Sequence, residues 1–145
     1  MFLGTYEYTI DPKGRLFLPS KLRDQKGGAL KKFIVTKGLE SCLYIFSPQT
    51  FQNILTNKLG SMPVKNQQDG RAFKRLLLAG AQEGELDDMG RILIAKNLLD
   101  YAGLKKDVSI LGVGERIELW ATNRWTLYNK KAASTFQKLG RHLEI

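Results

Sequence analysis

Arg15 and Arg91 hold the same place in two copies of one short pattern. "DPKGRLFLP" at 11–19 and "DDMGRILIA" at 87–95 both read Asp-x-x-Gly-Arg followed by three apolar residues. The chemistry such arginines offer is recognition. A guanidinium is a planar fork of N–H donors that meets a phosphate, or the O6/N7 edge of guanine, with two parallel hydrogen bonds. Asp11 with Gly14, and Asp87 with Gly90, are turn residues: the carboxylate accepts backbone N–H groups and the glycine takes a positive φ. A second reading stays open, because short turn motifs recur freely. In it each arginine is an exposed strand residue, or the partner of its own turn's aspartate. Recurrence in register weighs toward recognition, since a turn needs Asp and Gly but does not ask for Arg after the Gly both times. Lys13 adds a cation to the first turn, whereas Asp88 and Met89 stand in the second. Repeat one is therefore expected to make the stronger contact.

The charge balance points the same way. Twenty-three Lys and Arg against fourteen Asp and Glu leave +9, an excess that favours polyanions because each phosphate neutralised releases counterions. Double-stranded DNA is the expected partner. Catalytic signals are weak by comparison. Glu83, Glu85 and Asp87 at i, i+2 and i+4 offer Mg²⁺ or Mn²⁺ ligands for a phosphodiester hydrolase. A solvated strand face outweighs that alternative, since repeat one has only Glu7 and Asp11 in the pattern. One cysteine, Cys42 in "CLYIF", and one histidine, His142 near the C-terminal end, leave no zinc set and no Cys–His nucleophile within one chain. No glycine-rich nucleotide loop occurs, so no cofactor is expected. The aromatic residues Tyr44, Phe51, Trp120 and Trp125 read as core. No apolar run nears the ~20 residues of a membrane span, and the start has no basic, apolar leader. With its lone cysteine, the chain is expected in the cytoplasm.

Stepping the chain by 76 positions shows what carries the two turns. Gly4 falls on Gly80, Glu7 on Glu83, Leu22 on Leu98, Ile34 on Ile110, Gly38 on Gly114 and Leu43 on Leu119. One ungapped offset holds for about forty residues, the mark of a tandem duplication. Each unit reads as strand, turn, strand, short helix (in repeat one around Lys21 to Gln25) and a second hairpin. "SPQTFQNILTNKLG" is a helix capped by Ser47, with Pro48 at its first position and Phe51, Ile54, Leu55 and Leu59 on one face. "QQDGRAFKRLLLAGA" is a second. A terminal helix offers Trp125, Leu127, Tyr128, Ala132 and Phe136 for burial. The expected organisation is repeat one over 5–50, connecting helices over 51–80, repeat two over 81–124 and a C-terminal helix over 125–145. A unit of four short strands buries little apolar area alone, so the halves are expected to complete each other. The helices around Phe51 and Phe136 are expected to leave apolar faces for a neighbouring subunit.

The chain also resembles the MraZ proteins, bacterial transcriptional regulators of the division and cell wall gene cluster that carry two tandem SpoVT-AbrB-type domains. The resemblance spans essentially the whole chain. It rests on "MFLGTYEYTIDPKGRLFLPSKLRD", "RAFKRLLLAGAQEGELDDMGRILIAKNL" and "GVGERIELWATNRW". It implies a mainly β protein with helices, a double-split (swapped-hairpin) β-barrel formed by the two repeats. It implies a homo-oligomeric ring, larger than a dimer, that represses by binding short direct repeats in a promoter region, and a place on the nucleoid. The family's DNA-contacting positions fall on Arg15 and Arg91, with Lys13 beside them. Ala95 stands where repeat one has Pro19, so the second strand is expected to enter its helix differently.

Overall fold

The computed structural model describes residues 1–25, 28–29, 31–63 and 65–145. Repeat one contributes β1 (Phe2–Thr9), β2 (Arg15–Phe17), α1 (Ser20–Arg23), β3 (Asp24–Gln25), β4 (Gly28–Ala29), β5 (Lys32–Lys37) and β6 (Leu43–Phe46). The connecting helices are α2 (Pro48–Asn57) and α3 (Gln67–Lys74). Repeat two contributes β7 (Gln82–Glu85), β8 (Arg91–Leu93), α4 (Lys96–Ala102), β9 (Asp107–Gly114) and β10 (Arg116–Ala121). The last helix is α5 (Thr122–Leu143).

The architecture is mixed, a mainly antiparallel six-stranded sheet with helices. The sheet runs β1-β9-β10-β6-β5-β7, while β2 pairs with β8 and β3 with β4. Exchanging the repeats turns that order into its own reverse. β1 lies against β9 of the other repeat and β7 against β5, so each repeat's first strand is bound by its sibling. Neither unit's sheet is complete alone.

The core follows from the duplication. Leu16 with Ile92, Leu18 with Ile94, Leu22 with Leu98 and Leu43 with Leu119 occupy matched positions, and all are buried in one cluster. Removing a Leu from such a site costs roughly 2–5 kcal/mol. The caps are as expected at α2, where Ser47 accepts the Thr50 N–H and Pro48 begins the helix.

Several expectations are corrected. The helix after β2 stops at Arg23, and Asp24–Gln25 pairs instead with Gly28–Ala29. The second connecting helix changes to a π-helical turn over Arg75–Ala79. The terminal helix begins earlier, at Thr122, and no residue of it is buried: Leu127 is 61% and Phe136 72% exposed. Trp125 and Tyr128, in its first two turns, pack on Trp120, and among the described residues nothing buries the rest. Phe51 itself packs on Ile34 and Phe46, while it and Ile54 also line an apolar groove with Phe73 and Leu76. His142 sits in the last turn of α5. Cys42 lies one residue before β6, buried, its thiol donating to the Leu39 carbonyl at 3.1 Å. Burial, helped by the Glu118 and Glu40 charges, pushes that thiol up to about 12.

Candidate nucleic-acid interface

Both Asp-x-x-Gly-Arg segments fold into the same hydrogen-bonded loop. In the first, Asp11 Oδ1 accepts the N–H groups of Lys13 (2.9 Å) and Arg15 (2.8 Å). Its Oδ2 accepts Arg15 Nε–H at 2.6 Å. In the second, Asp87 Oδ1 accepts Met89 N–H (2.9 Å) and Arg91 N–H (2.8 Å), and Oδ2 accepts Arg91 Nε–H at 2.8 Å. Gly14 and Gly90 donate to the carbonyls of Asp11 and Asp87, each at 3.0 Å, with φ of 85° and 80°. That region of φ suits glycine.

The two loops are tied to each other. Leu18 N–H donates to the Gly90 carbonyl and Ile94 N–H to the Gly14 carbonyl, both at 2.9 Å. Between them β2 and β8 pair with Leu16 opposite Ile92, Arg15 opposite Leu93 and Phe17 opposite Arg91. Leu16 and Ile92 point into the core. Alternation along a strand then puts Arg15, Phe17, Arg91 and Leu93 on the outer face of one two-stranded ribbon. The helix entries share their first backbone hydrogen bonds and differ in one contact. Leu22 and Arg23 donate to the Pro19 carbonyl as Leu98 and Leu99 donate to that of Ala95. Ala95 has an N–H that Pro19 lacks, and Gln82 Oε1 accepts it at 2.8 Å.

The electrostatics join the two readings of the arginines. Each guanidinium pairs with its own turn's carboxylate through Nε, so each has the structural partner that turn chemistry predicts. Such solvent-screened pairs add little to stability. A guanidinium has five N–H donors, and the Nη groups of Arg15 and Arg91 donate no hydrogen bond among the described residues. The aspartate therefore orients the fork and leaves its outer edge open for a bidentate contact. Backbone donation from Arg15, with its side chain also contributing, holds the Asp11 carboxyl below the usual carboxylate range. Arg91 does the same for Asp87. The turns differ in charge, with one acid and two bases over 11–15 against two acids and one base over 87–91.

The competing signals disperse. Asp87 is committed to its turn, while Glu83 and Glu85 are exposed on β7. Among the described residues no three His, Cys, Asp or Glu side chains gather as a metal site. Trp120 is buried, and Trp125 and Tyr128 pack on it at ring-centroid distances of 5.4 and 5.0 Å. Sequence reasoning missed one residue here. Arg23 lies against the second turn, and a Cβ built on Gly90 would stand 2.9 Å from its Cζ. The available signal was its match, at the 76-residue offset, to apolar Leu99.

A basic chain of mixed α/β architecture with a doubled arginine turn on one β-ribbon has the charge and the N–H donors that a polyanion would meet, and comparison narrows the class. The model of the family described as "MraZ protein, putative antitoxin-like" matches twice, over residues 1–76 and 77–144. The Transcriptional regulator MraZ of Heliobacterium modesticaldum is 43% identical over 143 residues, covering 99% of this chain and 96% of that protein. That of Acetivibrio thermocellus is 46% identical over 143 residues, covering 96% of each. A Thermoanaerobacter relative of the same name is 42% identical over 144 residues, covering 99% and 97%. The chain belongs to the MraZ family, a family of transcriptional regulators and not of enzymes.

Proposed function

We propose that this protein binds duplex DNA sequence-specifically through the β2–β8 ribbon and represses the division and cell wall gene cluster. Arg15 and Arg91 contact bases or phosphates, and Lys13 adds a phosphate contact. Asp11, Gly14, Asp87 and Gly90 hold the turns. The observation that carries this reading is the pairing of two identical turns on one ribbon, each presenting an Nη edge outward. A two-stranded ribbon fits the major groove, where bidentate arginine reads guanine. The exchange of first strands between the repeats supports a swapped-hairpin barrel, with repeats over 5–50 and 81–124 joined by 51–80 and followed by a C-terminal segment over 125–145 that α5 largely fills.

The same reading makes the protein a ring larger than a dimer that spans short direct repeats in a promoter, working in the cytoplasm on the nucleoid. Phe136, Leu139 and Leu143 stand exposed on α5 at helical spacing, an apolar stripe suited to a neighbouring subunit. No helix among the described residues is long and apolar enough to cross a membrane. Selection of bound duplexes from random DNA, with native mass spectrometry in the same buffer, tests both parts. Enriched direct repeats and an assembly above a dimer are expected. An assembly that enriches no sequence would favour a ring with a structural role, and a monomer would remove the ring.

A further inference from the structure

Arg23 ends α1 of repeat one, yet its guanidinium rests on the turn of repeat two. Cζ and Nη1 stand 2.9 Å from where a Gly90 Cβ would be. Its Nε–H donates to the Leu18 carbonyl at 2.7 Å, and its Cζ lies 5.4 Å from the centroid of the Phe17 ring. Phe17 sits opposite Arg91 on the ribbon. These two contacts fix the plane of the guanidinium beside the turn. Among the described residues its Nη groups donate no hydrogen bond and no carboxylate pairs with it. Arg15 and Arg91 share their charge with an aspartate; Arg23 has no such partner among the described residues.

The duplication shows what this residue replaces. The match of Arg23 in repeat two is Leu99, whose Cδ1 lies 3.3 Å from a Cβ built on Gly14. The match of Lys13 is Met89. The first turn thus carries its second cation within itself and receives an apolar residue from repeat two. The second turn has the apolar residue within itself and receives its cation from repeat one. We infer that Arg23 is a DNA-contacting residue serving the second turn, where it supplies the phosphate contact that Lys13 supplies in the first. The inference rests on the DNA-binding reading above and is tested apart from it.

The test is the slope of log K against log salt on a duplex selected by the wild-type protein, with Tm recorded for each variant. Arg23→Gln keeps a polar side chain of similar reach and removes the charge, so the slope should shrink by about 0.9 for each engaged subunit, one phosphate contact apiece. Arg23→Lys keeps the charge and should keep the slope. Met89→Lys added to Arg23→Gln should restore it by placing the cation where repeat one has it. If Gln and Lys lower Tm and affinity alike while the slope holds, Arg23 is only a brace for Leu18 and Phe17, and the inference fails. A shrunken slope that Met89→Lys leaves unrestored also overturns it. Wild-type protein that binds DNA indifferently to salt sinks the underlying reading itself.

Discussion

The loops Asp11–Arg15 and Asp87–Arg91 share every backbone hydrogen bond and differ at every residue that is not Asp, Gly or Arg. Aspartate and glycine therefore set the shape, and the positions between them are free to set the charge. Read locally, the second loop looks poorly suited to a polyanion, with Asp88 and Met89 where the first has Pro12 and Lys13. In the folded chain it borrows Arg23 from the other repeat. A duplicated protein can thus distribute a function over its two halves while keeping their backbones equivalent.

The largest effect expected is on stability, and it should divide the two glycines. A side chain at Gly14 would be held at φ 85° with its Cβ 2.9 Å from the Ile94 carbonyl oxygen, a backbone atom tied into the ladder. Gly14→Val should cost about 1–3 kcal/mol for the backbone conformation alone, with the collision added. At Gly90 the Cβ meets the flexible end of Arg23. Gly90→Val should lose less, and DNA affinity should fall as Arg23 is displaced. Equal drops in Tm would break the comparison, because they would make the two surroundings equally rigid.

Arg15→Ala comes next. Losing a bidentate contact costs ~1–3 kcal/mol of discrimination at that base, and a multivalent ring multiplies the loss. Losing the solvent-screened pair with Asp11 should move stability only slightly. Arg91→Ala should weaken binding less, with Asp88 beside it. Fluorescence anisotropy and thermal melts on the same preparations separate the two quantities. A melt as damaging as that of Gly14→Val would make the arginine a purely structural partner of Asp11.

The smallest effect is in pH. Asp11 and Asp87 have folded values held below the ordinary ~3.9. Their contribution to stability is therefore complete above the usual carboxylate range and lost as pH falls through the lower folded values. Asp11→Asn should be less stable than wild type at neutral pH, and the gap should close on acidification. A gap unchanged down to pH 3 would mean that the carboxylate charge does nothing for the turn.

Most of the framework was legible because it is written locally. The 76-residue offset, the two turns, the Ser47 cap and the matched core leucines all follow from short-range residue types. The pairing of β1 with β9 and β7 with β5 was not, since strand period says which face is buried and nothing about which strand lies beside it. Arg23 was missed for the same reason: its role depends on a contact with Gly90 across the repeats. Amphipathic spacing in α5 named Leu127 and Phe136 as buried, but spacing marks a face without naming what covers it.

On the proposed function, one ribbon carries both turns to DNA. This is tested most directly by the salt dependence of wild type, Arg15→Ala, Arg91→Ala and the double variant on one selected duplex. Each single change should weaken binding and lower the slope, Arg15→Ala more so, and the double variant should lose specific binding while its Tm stays near that of the wild type. A folded double variant that binds with wild-type affinity and slope would contradict it, and would move the contact to the exposed cations Arg71, Lys74 and Arg75.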